Sequence, residues 1–140
     1  MSKIAVVYWS GSGNTEAMAN YILESAKNNN AEAKLFEANN FSAANIDDYD
    51  VIAFGCPAMG AEVLEETVFE PMFQECKNKL VNKKIALFGS YGWGDGEWMR
   101  SWEEECRESD IILPYESIIC SGYPDEETKE LCKKLGAELA

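Results

Sequence analysis

Short apolar runs typical of buried strands alternate along this 140-residue chain with segments whose apolar residues repeat at helical spacing. The strand-like runs are residues 3–9, 33–37, 50–55, 84–89 and 111–119, the last interrupted by Pro114. Five such alternations predict a parallel sheet, because parallel strands need crossover connections and helices provide them. We therefore expect a doubly wound, five-stranded α/β sheet with helices on both faces, formed as one domain over residues 1–140.

The helices are predicted from apolar residues three and four positions apart. The second helix has Phe69, Met72, Phe73, Cys76 and Leu80 on its inward face. The last helix begins after Asp125, whose carboxylate can cap it. Its inward face is predicted to comprise Thr128, Leu131, Cys132, Leu135 and Leu139.

Charge and composition narrow the function classes. Twelve lysines and arginines against 25 acidic residues give a net charge of −13, which disfavours nucleic acid and anionic lipid as partners and favours proteins with basic patches. No apolar run approaches about 18 residues and the start lacks secretory features, so we expect a cytoplasmic protein. The absence of histidine excludes imidazole catalysis and histidine metal sites. The five dispersed cysteines are expected to be reduced.

A glycine-rich loop, Ser10-Gly11-Ser12-Gly13-Asn14-Thr15, joins the first strand to the first helix. A helix N-terminus presents unpaired N–H groups and partial positive charge, and the hydroxyls and amide of this loop add neutral donors for a phosphate. Glu16 stands where the dinucleotide fingerprint needs glycine, and the P-loop spacing is absent. The alternative is a plain turn in which Asn14 or Thr15 caps the helix.

Two further loops at strand ends carry groups suited to a flat ring. Tyr91 and Trp93 lie among glycines after the fourth strand, where an indole can serve as a stacking surface. Met59 precedes Gly60 after the third strand, and a thioether is a good partner for a ring face. The alternatives are an aromatic that packs back on its own fold and an ordinary turn glycine.

These three loops together resemble those of flavodoxins of the short-chain type found in clostridia and related anaerobes. Residues 10–15 are similar to the flavodoxin phosphate loop, residues 55–62 to its second flavin loop and residues 88–96 to its third. The resemblance implies strand order 2-1-3-4-5 and one non-covalently bound FMN. The FMN-binding residues that it implies are Ser10, Gly11, Ser12, Gly13, Asn14, Thr15, Pro57, Ala58, Met59, Gly60, Ala61, Glu62, Ser90, Tyr91, Gly92, Trp93, Gly94 and Gly122, with neither a catalytic residue nor a metal.

The resemblance also implies roles for individual residues. Met59 and Trp93 would sandwich the isoalloxazine ring, and Glu62 would accept a hydrogen bond from flavin N3–H. The peptide after Met59 would turn on formation of the semiquinone so that its carbonyl accepts from N5–H, a turn that Gly60 makes easy. Ala61 stands where relatives often have a polar residue or glycine, and its stiffer backbone bears on the extent of that stabilisation. Negative charge around the site would disfavour the anionic hydroquinone, and the alternative is a solvated acidic helix face. The nearby carboxylates are those of Glu65, Glu66, Glu70, Asp95 and Glu97.

The resulting expectation is an electron-transfer protein and not an enzyme: a low-potential one-electron carrier that shuttles FMN between semiquinone and hydroquinone. Its partners would be iron–sulfur or flavin oxidoreductases with basic docking patches, and the chain would act as a monomer. The alternatives on the same fold are a small FMN-dependent NAD(P)H or quinone reductase and an activator of ribonucleotide reductase. A phosphorylatable receiver and a C-x5-R phosphatase are excluded by Trp9-Ser10 and by Glu62, respectively.

Overall fold

The computed structural model describes residues 2–140, which form a five-stranded parallel sheet of order β2-β1-β3-β4-β5 with helices on both faces. The predicted fold class and strand order are therefore confirmed. The strands are β1 Lys3–Tyr8, β2 Glu32–Glu37, β3 Val51–Gly55, β4 Lys84–Tyr91 and β5 Ile118–Ser121. The helices are α1 Asn14–Asn28, α2 Phe69–Cys76, α3 Glu97–Glu108 and α4 Glu126–Leu139, with 3₁₀ turns at Ala38–Asn40, Ala43–Asp48 and Lys77–Leu80. Among residues 2–140, no helix combines the length and apolar character needed to cross a bilayer.

The central strands are buried on both faces, so their side chains build two separate cores. On one face, Ile4, Val6 and Phe88 pack under α1 and α4. The helices approach each other closely there, because a Cβ at Gly136 of α4 would lie 2.5 Å from the Ile22 carbonyl oxygen of α1. Glycine at this position therefore sets the spacing of the two helices.

The opposite face is filled by aromatic rings beneath α2 and α3. Phe73 meets Phe54 edge to face at 5.3 Å and Trp102 at 5.7 Å between ring centroids, and it stacks on Phe69 at 6.2 Å. Edge-to-face pairs add specific attraction to the burial of large apolar surface. This aromatic core supports the loops that follow β3 and β4.

Two sequence predictions need correction near the end of the chain. The fifth strand is Ile118–Ser121 rather than residues 111–119. Ile112 makes only an isolated bridge to Lys84, and the chain departs from the sheet at Pro114, which has no N–H to donate. Leu131 was predicted to face inward, but it is 45% exposed. Gly136 takes the inward position instead, because the narrow contact with α1 turns that face of the helix inward.

The second helix is also shorter than its apolar pattern suggests. It ends at Cys76, and Leu80 belongs to the following 3₁₀ turn, although its side chain is buried as predicted. The predicted cap of the last helix is confirmed: the Asp125 carboxylate accepts a hydrogen bond from the Thr128 amide at 2.8 Å.

Candidate functional site

Four loops meet at the carboxyl edge of the sheet, where doubly wound folds bind their ligands. They follow β1, β3, β4 and β5 and, together with the first residues of α1 and the last residues of β4, they contain every FMN-binding residue that the sequence predicted. Backbone hydrogen bonds of 2.9–3.1 Å join each strand end to the next, so the edge is one connected surface. These bonds run from Trp9 N–H to the Gly55 carbonyl, Cys56 N–H to Phe88, Ala58 N–H to Ser90, and Gly122 N–H to Tyr91.

The loop after β1 presents its backbone amides to the open edge. Gly13 is the N-cap residue of α1 and has a left-handed backbone conformation with φ +97°. The alternative prediction, in which Asn14 or Thr15 caps the helix, is therefore wrong. The Ser10 hydroxyl oxygen accepts from the Gly13 amide at 3.1 Å and from the Glu16 amide at 3.3 Å. Within residues 2–140 no acceptor meets the amides of Gly11, Ser12, Asn14 and Thr15.

These free amides belong to the N-terminus of α1 and the loop before it, a segment that contains no lysine or arginine. Such an arrangement binds an anion through oriented dipoles and neutral donors. The loop is already shaped for this by the internal Ser10 bonds, so an anion would find the amides in place. The geometry therefore suits a phosphate group.

The loop after β3 is held at its base and free at its tip. Met59 and Val63 exchange two backbone hydrogen bonds of 2.8 and 3.1 Å, and the Glu65 amide donates to Cys56 Sγ at 3.3 Å. The tip is exposed Gly60, with φ +36°, followed by exposed Ala61. Among the described residues, no hydrogen bond holds the amide or carbonyl of Gly60. The tip can therefore change conformation without breaking the base.

Glu62 places a carboxylate between two loops. Its φ is +56°, and its Oε1 is buried with no hydrogen-bond partner among residues 2–140. The carboxylate lies against Gly94 of the next loop, where a Cβ would come within 2.5 Å of Oε1. One carboxylate oxygen each from Glu62, Asp95 and Glu97 can be chosen so that all lie within 4.8 Å of one another. The edge therefore combines an unsatisfied acceptor with concentrated negative charge.

The two aromatic residues at the end of β4 and in the loop after it have different environments. Trp93 is 67% exposed, so its indole does not pack back on the fold. Tyr91 is half-buried and packs against Trp98 at 5.5 Å between ring centroids, which leaves mainly its backbone for the edge. Trp93 thus offers an exposed flat apolar surface, and its neighbour Gly94 lies against Glu62 of the loop after β3.

Trp98 is a residue whose role at the edge sequence reasoning missed. Trp98 is a buried residue of α3. Its Nε1–H also donates to the Cys56 carbonyl at 3.1 Å, at the base of the loop after β3. A Cβ at Gly89 would lie 2.2 Å from the same carbonyl oxygen. The available signal was that a buried indole N–H needs an acceptor.

Glu65 was predicted to be one of the carboxylates that place negative charge around the site, but the structure gives it a different role, as the buried cap of α2. It is 4% exposed, and its carboxylate accepts from the amides of Val68 and Phe69 at 2.8 Å and from the Thr67 amide and hydroxyl. Burial alone would raise the pKa of Glu65, but these hydrogen bonds outweigh it and lower the pKa. The carboxylate thus closes the N-terminus of α2 and fixes the end of the Met59 loop.

A model of the flavodoxin family matches residues 6–112. The chain is similar to a flavodoxin of Megasphaera elsdenii, 44% identical over 140 residues with 98% of both chains covered. It is also similar to one of Clostridium beijerinckii, 44% identical over 138 residues with 96% of this chain and 97% of the relative covered. The solution structure of two-electron reduced Megasphaera elsdenii flavodoxin matches with TM-score 0.89 at 41% identity and covers 97% of each chain.

The fold and its carboxyl edge define a doubly wound α/β protein that holds an anionic ligand and a flat ring. The family match makes the assignment specific: the chain belongs to the flavodoxin family. It is an electron-transfer protein with FMN as its cofactor, as the sequence predicted. The comparisons support this function and not the reductase or activator alternatives.

The described residues fit FMN. A Cβ added at Gly13, Gly60, Gly92 or Gly122 would meet nothing within 4 Å, so all four loops turn bare backbone toward open space. Free amides suit the phosphate, exposed Trp93 suits the ring, and the unpartnered oxygen of Glu62 suits a ring N–H. The donor and acceptor types therefore match the two ends of the cofactor.

Proposed function

We propose that this chain is a low-potential, one-electron carrier that cycles its FMN between the one-electron-reduced and fully reduced states. The observation that carries the proposal is the buried, unpartnered Oε1 of Glu62 between the two ring loops. Such an acceptor costs free energy unless a donor meets it, and flavin N3–H is a donor of the right kind. The whole of residues 1–140 would serve as one FMN-binding domain.

The phosphate of FMN would be held by residues 10–15. The free amides of Gly11, Ser12, Asn14 and Thr15 support this assignment, as do the neutral side chains of the loop. Ser10 would act through its existing bonds to the amides of Gly13 and Glu16, which keep the loop curled. Binding through neutral donors leaves the charge of the phosphate unpaired, so this end should be sensitive to added negative charge.

The ring of FMN would lie between Met59 and Trp93. The remaining contacts would come from Pro57, Ala58, Ala61, Ser90, Tyr91, Gly92, Gly94 and Gly122, largely through their backbones. FMN supplies the redox chemistry, since its ring takes up and releases one or two electrons. The protein binds the ring, shields it on both faces and sets the charge around it.

The surrounding carboxylates would lower the potential of full reduction. A unit negative charge about 10 Å from a developing anion costs it about 1–2 kcal/mol at an effective dielectric near 20, before salt screening. Glu62, Asp95 and Glu97 cluster at the edge, and Glu66 and Glu70 lie nearby along the chain. Burial, with the charge of Glu105, raises the pKa of Glu70, as expected in a negative region.

The proposed redox partners are proteins with basic patches. Neither nucleic acid nor a membrane is proposed as a partner. A groove of about 510 Å³ lies beside the ring loops and is lined by acidic residues together with Trp98 and Trp102. Its carboxylates are those of Glu62, Glu66, Glu70 and Glu105. Iron–sulfur or flavin oxidoreductases with lysine or arginine at their docking face would fit it. Rates of electron exchange should fall as ionic strength rises, and rates indifferent to salt would contradict this docking mode.

A monomeric, cytoplasmic protein is proposed. All five cysteines are free and buried, which suits a reducing compartment. Burial raises the pKa of Cys76, Cys106 and Cys132 to about 12, so their thiols stay protonated and unreactive. Sedimentation at working concentrations tests the monomer directly.

Stepwise anaerobic reduction followed by absorbance tests the proposed function. The FMN-loaded protein should develop a persistent long-wavelength band before it bleaches. The Met59 carbonyl already accepts from the Val63 amide, so the acceptor for a protonated ring nitrogen would be the Gly60 carbonyl, which has no hydrogen bond among the described residues. Gly60→Ala should weaken that band, since φ +36° strains any residue with a Cβ. Ala61→Gly is the matched control and should keep the band or strengthen it. Direct bleaching of the wild-type protein would overturn the one-electron assignment.

A further inference from the structure

Ser90 is a buried polar residue that contacts each of the other three loops of the site. It is 2% exposed, near the end of β4. Its amide donates to Thr15 Oγ1 at 3.3 Å in the phosphate loop. Its carbonyl accepts from the Ala58 amide at 3.0 Å, and its hydroxyl donates to the Gly122 carbonyl at 2.6 Å. Each polar group of Ser90 thus has a separate loop as partner.

Of these three hydrogen bonds, the one to Thr15 connects the phosphate loop to the rest of the site. Within residues 2–140, it is the one hydrogen bond that joins residues 10–15 to any of the other three loops. Thr15 is 1% exposed and lies in the first turn of α1, so its side chain is enclosed between the phosphate loop and β4. A change at the phosphate loop therefore has a defined route to the loops that face the ring.

The Thr15 hydroxyl can transmit an effect of phosphate binding to Ser90. The oxygen accepts the Ser90 amide, and its own hydrogen has no acceptor among the described residues. That hydrogen is available to a phosphate oxygen at the adjacent helix N-terminus. Donation to an anion polarises the hydroxyl and makes its oxygen a better acceptor, because hydrogen bonds in a chain strengthen one another. Phosphate binding should then tighten the hold on Ser90.

We propose that Thr15 and Ser90 are positioning residues through which phosphate binding orders the loops around the flavin ring. The inference rests on the FMN site proposed above and goes beyond it, since it gives Thr15 a role toward a ring that it does not touch. Because the hydrogen bond from the Ser90 amide to Thr15 is present before any ligand binds, Thr15 should contribute to binding even when the ligand has no phosphate.

Riboflavin, which has the ring but no phosphate, provides the test. Thr15→Val keeps the shape of the side chain and removes both the acceptor for Ser90 and the donor for phosphate. The Kd of riboflavin for the apoprotein should rise by about two- to ten-fold, the range expected for one lost hydrogen bond. Thr15→Ser should restore the wild-type value. The matched control is Thr128→Val, a buried threonine of α4 outside the site, which should leave riboflavin affinity unchanged.

An NMR experiment with inorganic phosphate reports the coupling without a flavin. Phosphate added to the wild-type apoprotein should shift the amide resonances of Ser90 and Ala58 as well as those of residues 11–15. In Thr15→Val the Ser90 and Ala58 shifts should vanish, and in Thr15→Ser they should return. These shifts do not depend on the stability of the variants, so a merely structural role of Thr15 would not reproduce the pattern.

The outcomes separate this inference from the proposed function. If Thr15→Val binds riboflavin as tightly as the wild type, or if phosphate leaves Ser90 and Ala58 unmoved in the wild type, the coupling is wrong while the FMN site stands. If the wild-type apoprotein binds neither FMN nor riboflavin, the FMN site itself is wrong, and the coupling with it.

Discussion

The N-termini of α1 and α2 are closed in opposite ways, although both helices follow strands of the same sheet. At α2, the Glu65 carboxylate accepts from three successive backbone amides and fills the position that an anion would take. At α1, Gly13 is the cap and has no side chain, the neutral Ser10 hydroxyl accepts from the amides of Gly13 and Glu16, and the amides of Asn14 and Thr15 have no acceptor within residues 2–140. One terminus carries its own anion, and the other is left for a ligand.

This difference shows how a very acidic chain can still bind a phosphate. With 25 acidic residues the chain could readily place a carboxylate at each helix start, and it does so at α4 through Asp125 as well as at α2. A carboxylate and a phosphate compete for the same amides and partial charge. Leaving α1 without a carboxylate cap is therefore the condition for binding FMN there.

Giving α1 a carboxylate of its own should have the largest effect. In Ser12→Asp, the new charge would lie beside the phosphate position, and two like charges about 6 Å apart at an effective dielectric of 20 repel by about 3 kcal/mol. We expect a loss of FMN affinity of about a hundred-fold. Fluorescence titration of the apoprotein measures it. Ser12→Asn is the neutral match and should lose far less; equal affinities of the two variants would contradict the comparison.

Removing the charge of the Glu65 carboxylate at the N-terminus of α2 should have the next largest effect. This effect should be on the stability of the fold and not on FMN binding. Glu65→Gln replaces a buried carboxylate by an amide that cannot accept all of its bonds, and we expect a loss of about 2 kcal/mol in unfolding free energy at neutral pH. Urea unfolding measures it. The exposed neighbour provides the control, Glu66→Gln, which should unfold like the wild type.

The Glu65 effect should also depend on pH. Because folding lowers the pKa of Glu65 below the ordinary value of 4.5, its stabilisation is complete above about pH 4.5 and is lost as pH falls through the folded-state pKa. The gap between the wild type and Glu65→Gln should therefore narrow in acid. A gap that stays constant down to pH 2 would show that the charge of Glu65 is not what closes α2.

A smaller loss is expected at the exposed cap of α4. Asp125→Ala removes the acceptor for the Thr128 amide and should lower the melting temperature less than Glu65→Gln does, because water can replace the lost bond. Asp125→Asn keeps an acceptor and should recover most of the loss. Thermal unfolding followed by circular dichroism compares the three proteins, and a loss equal to that of Glu65→Gln would mean that burial does not set the size of the effect.

The smallest effect is expected from the carboxylate that does lie near α1. Glu16 is in the first helical turn, and its carboxylate accepts from the Tyr8 hydroxyl at 2.9 Å and from none of the amides of the loop. Glu16→Gln should strengthen FMN binding by about two- to five-fold at low salt and leave riboflavin unaffected, with the gain lost at high salt. Glu24→Gln, farther along α1, should change neither affinity. A gain that persists at high salt would point to a cause other than charge.

Sequence patterns predicted the parts of the molecule that depend on neighbours along the chain. Strand starts at Lys3 and Lys84, the end of β3 at Gly55 and the Asp125 cap all follow from local composition. The fifth strand was misplaced because residues 111–113 have the apolar character of a strand but form a single isolated bridge to β4, between Ile112 and Lys84. Leu131 was misassigned because the close approach at Gly136, and not hydropathy, orients α4.

In the candidate site too, features formed by neighbours along the chain were predicted and contacts between distant residues were not. The phosphate loop and the glycine-rich loops could be found from sequence, since each is a contiguous string. The links between loops could not, because they join residues far apart: Ser90 to Thr15, Trp98 to Cys56, and Glu62 to Gly94. Such contacts depend on strand order and register, which are settled only when the sheet forms.

The exposure of Trp93 gives the chain an optical property of its own. Trp98 and Trp102 are enclosed in the apolar core and Trp9 is half-buried, so all three should emit at shorter wavelengths than Trp93, whose indole is 67% exposed and should contribute the long-wavelength side of the emission. A flavin laid against Trp93 would quench that side first. The intensity at the red edge of the intrinsic fluorescence would then report the fraction of the protein without FMN. The recovery of that intensity would report the rate at which FMN dissociates.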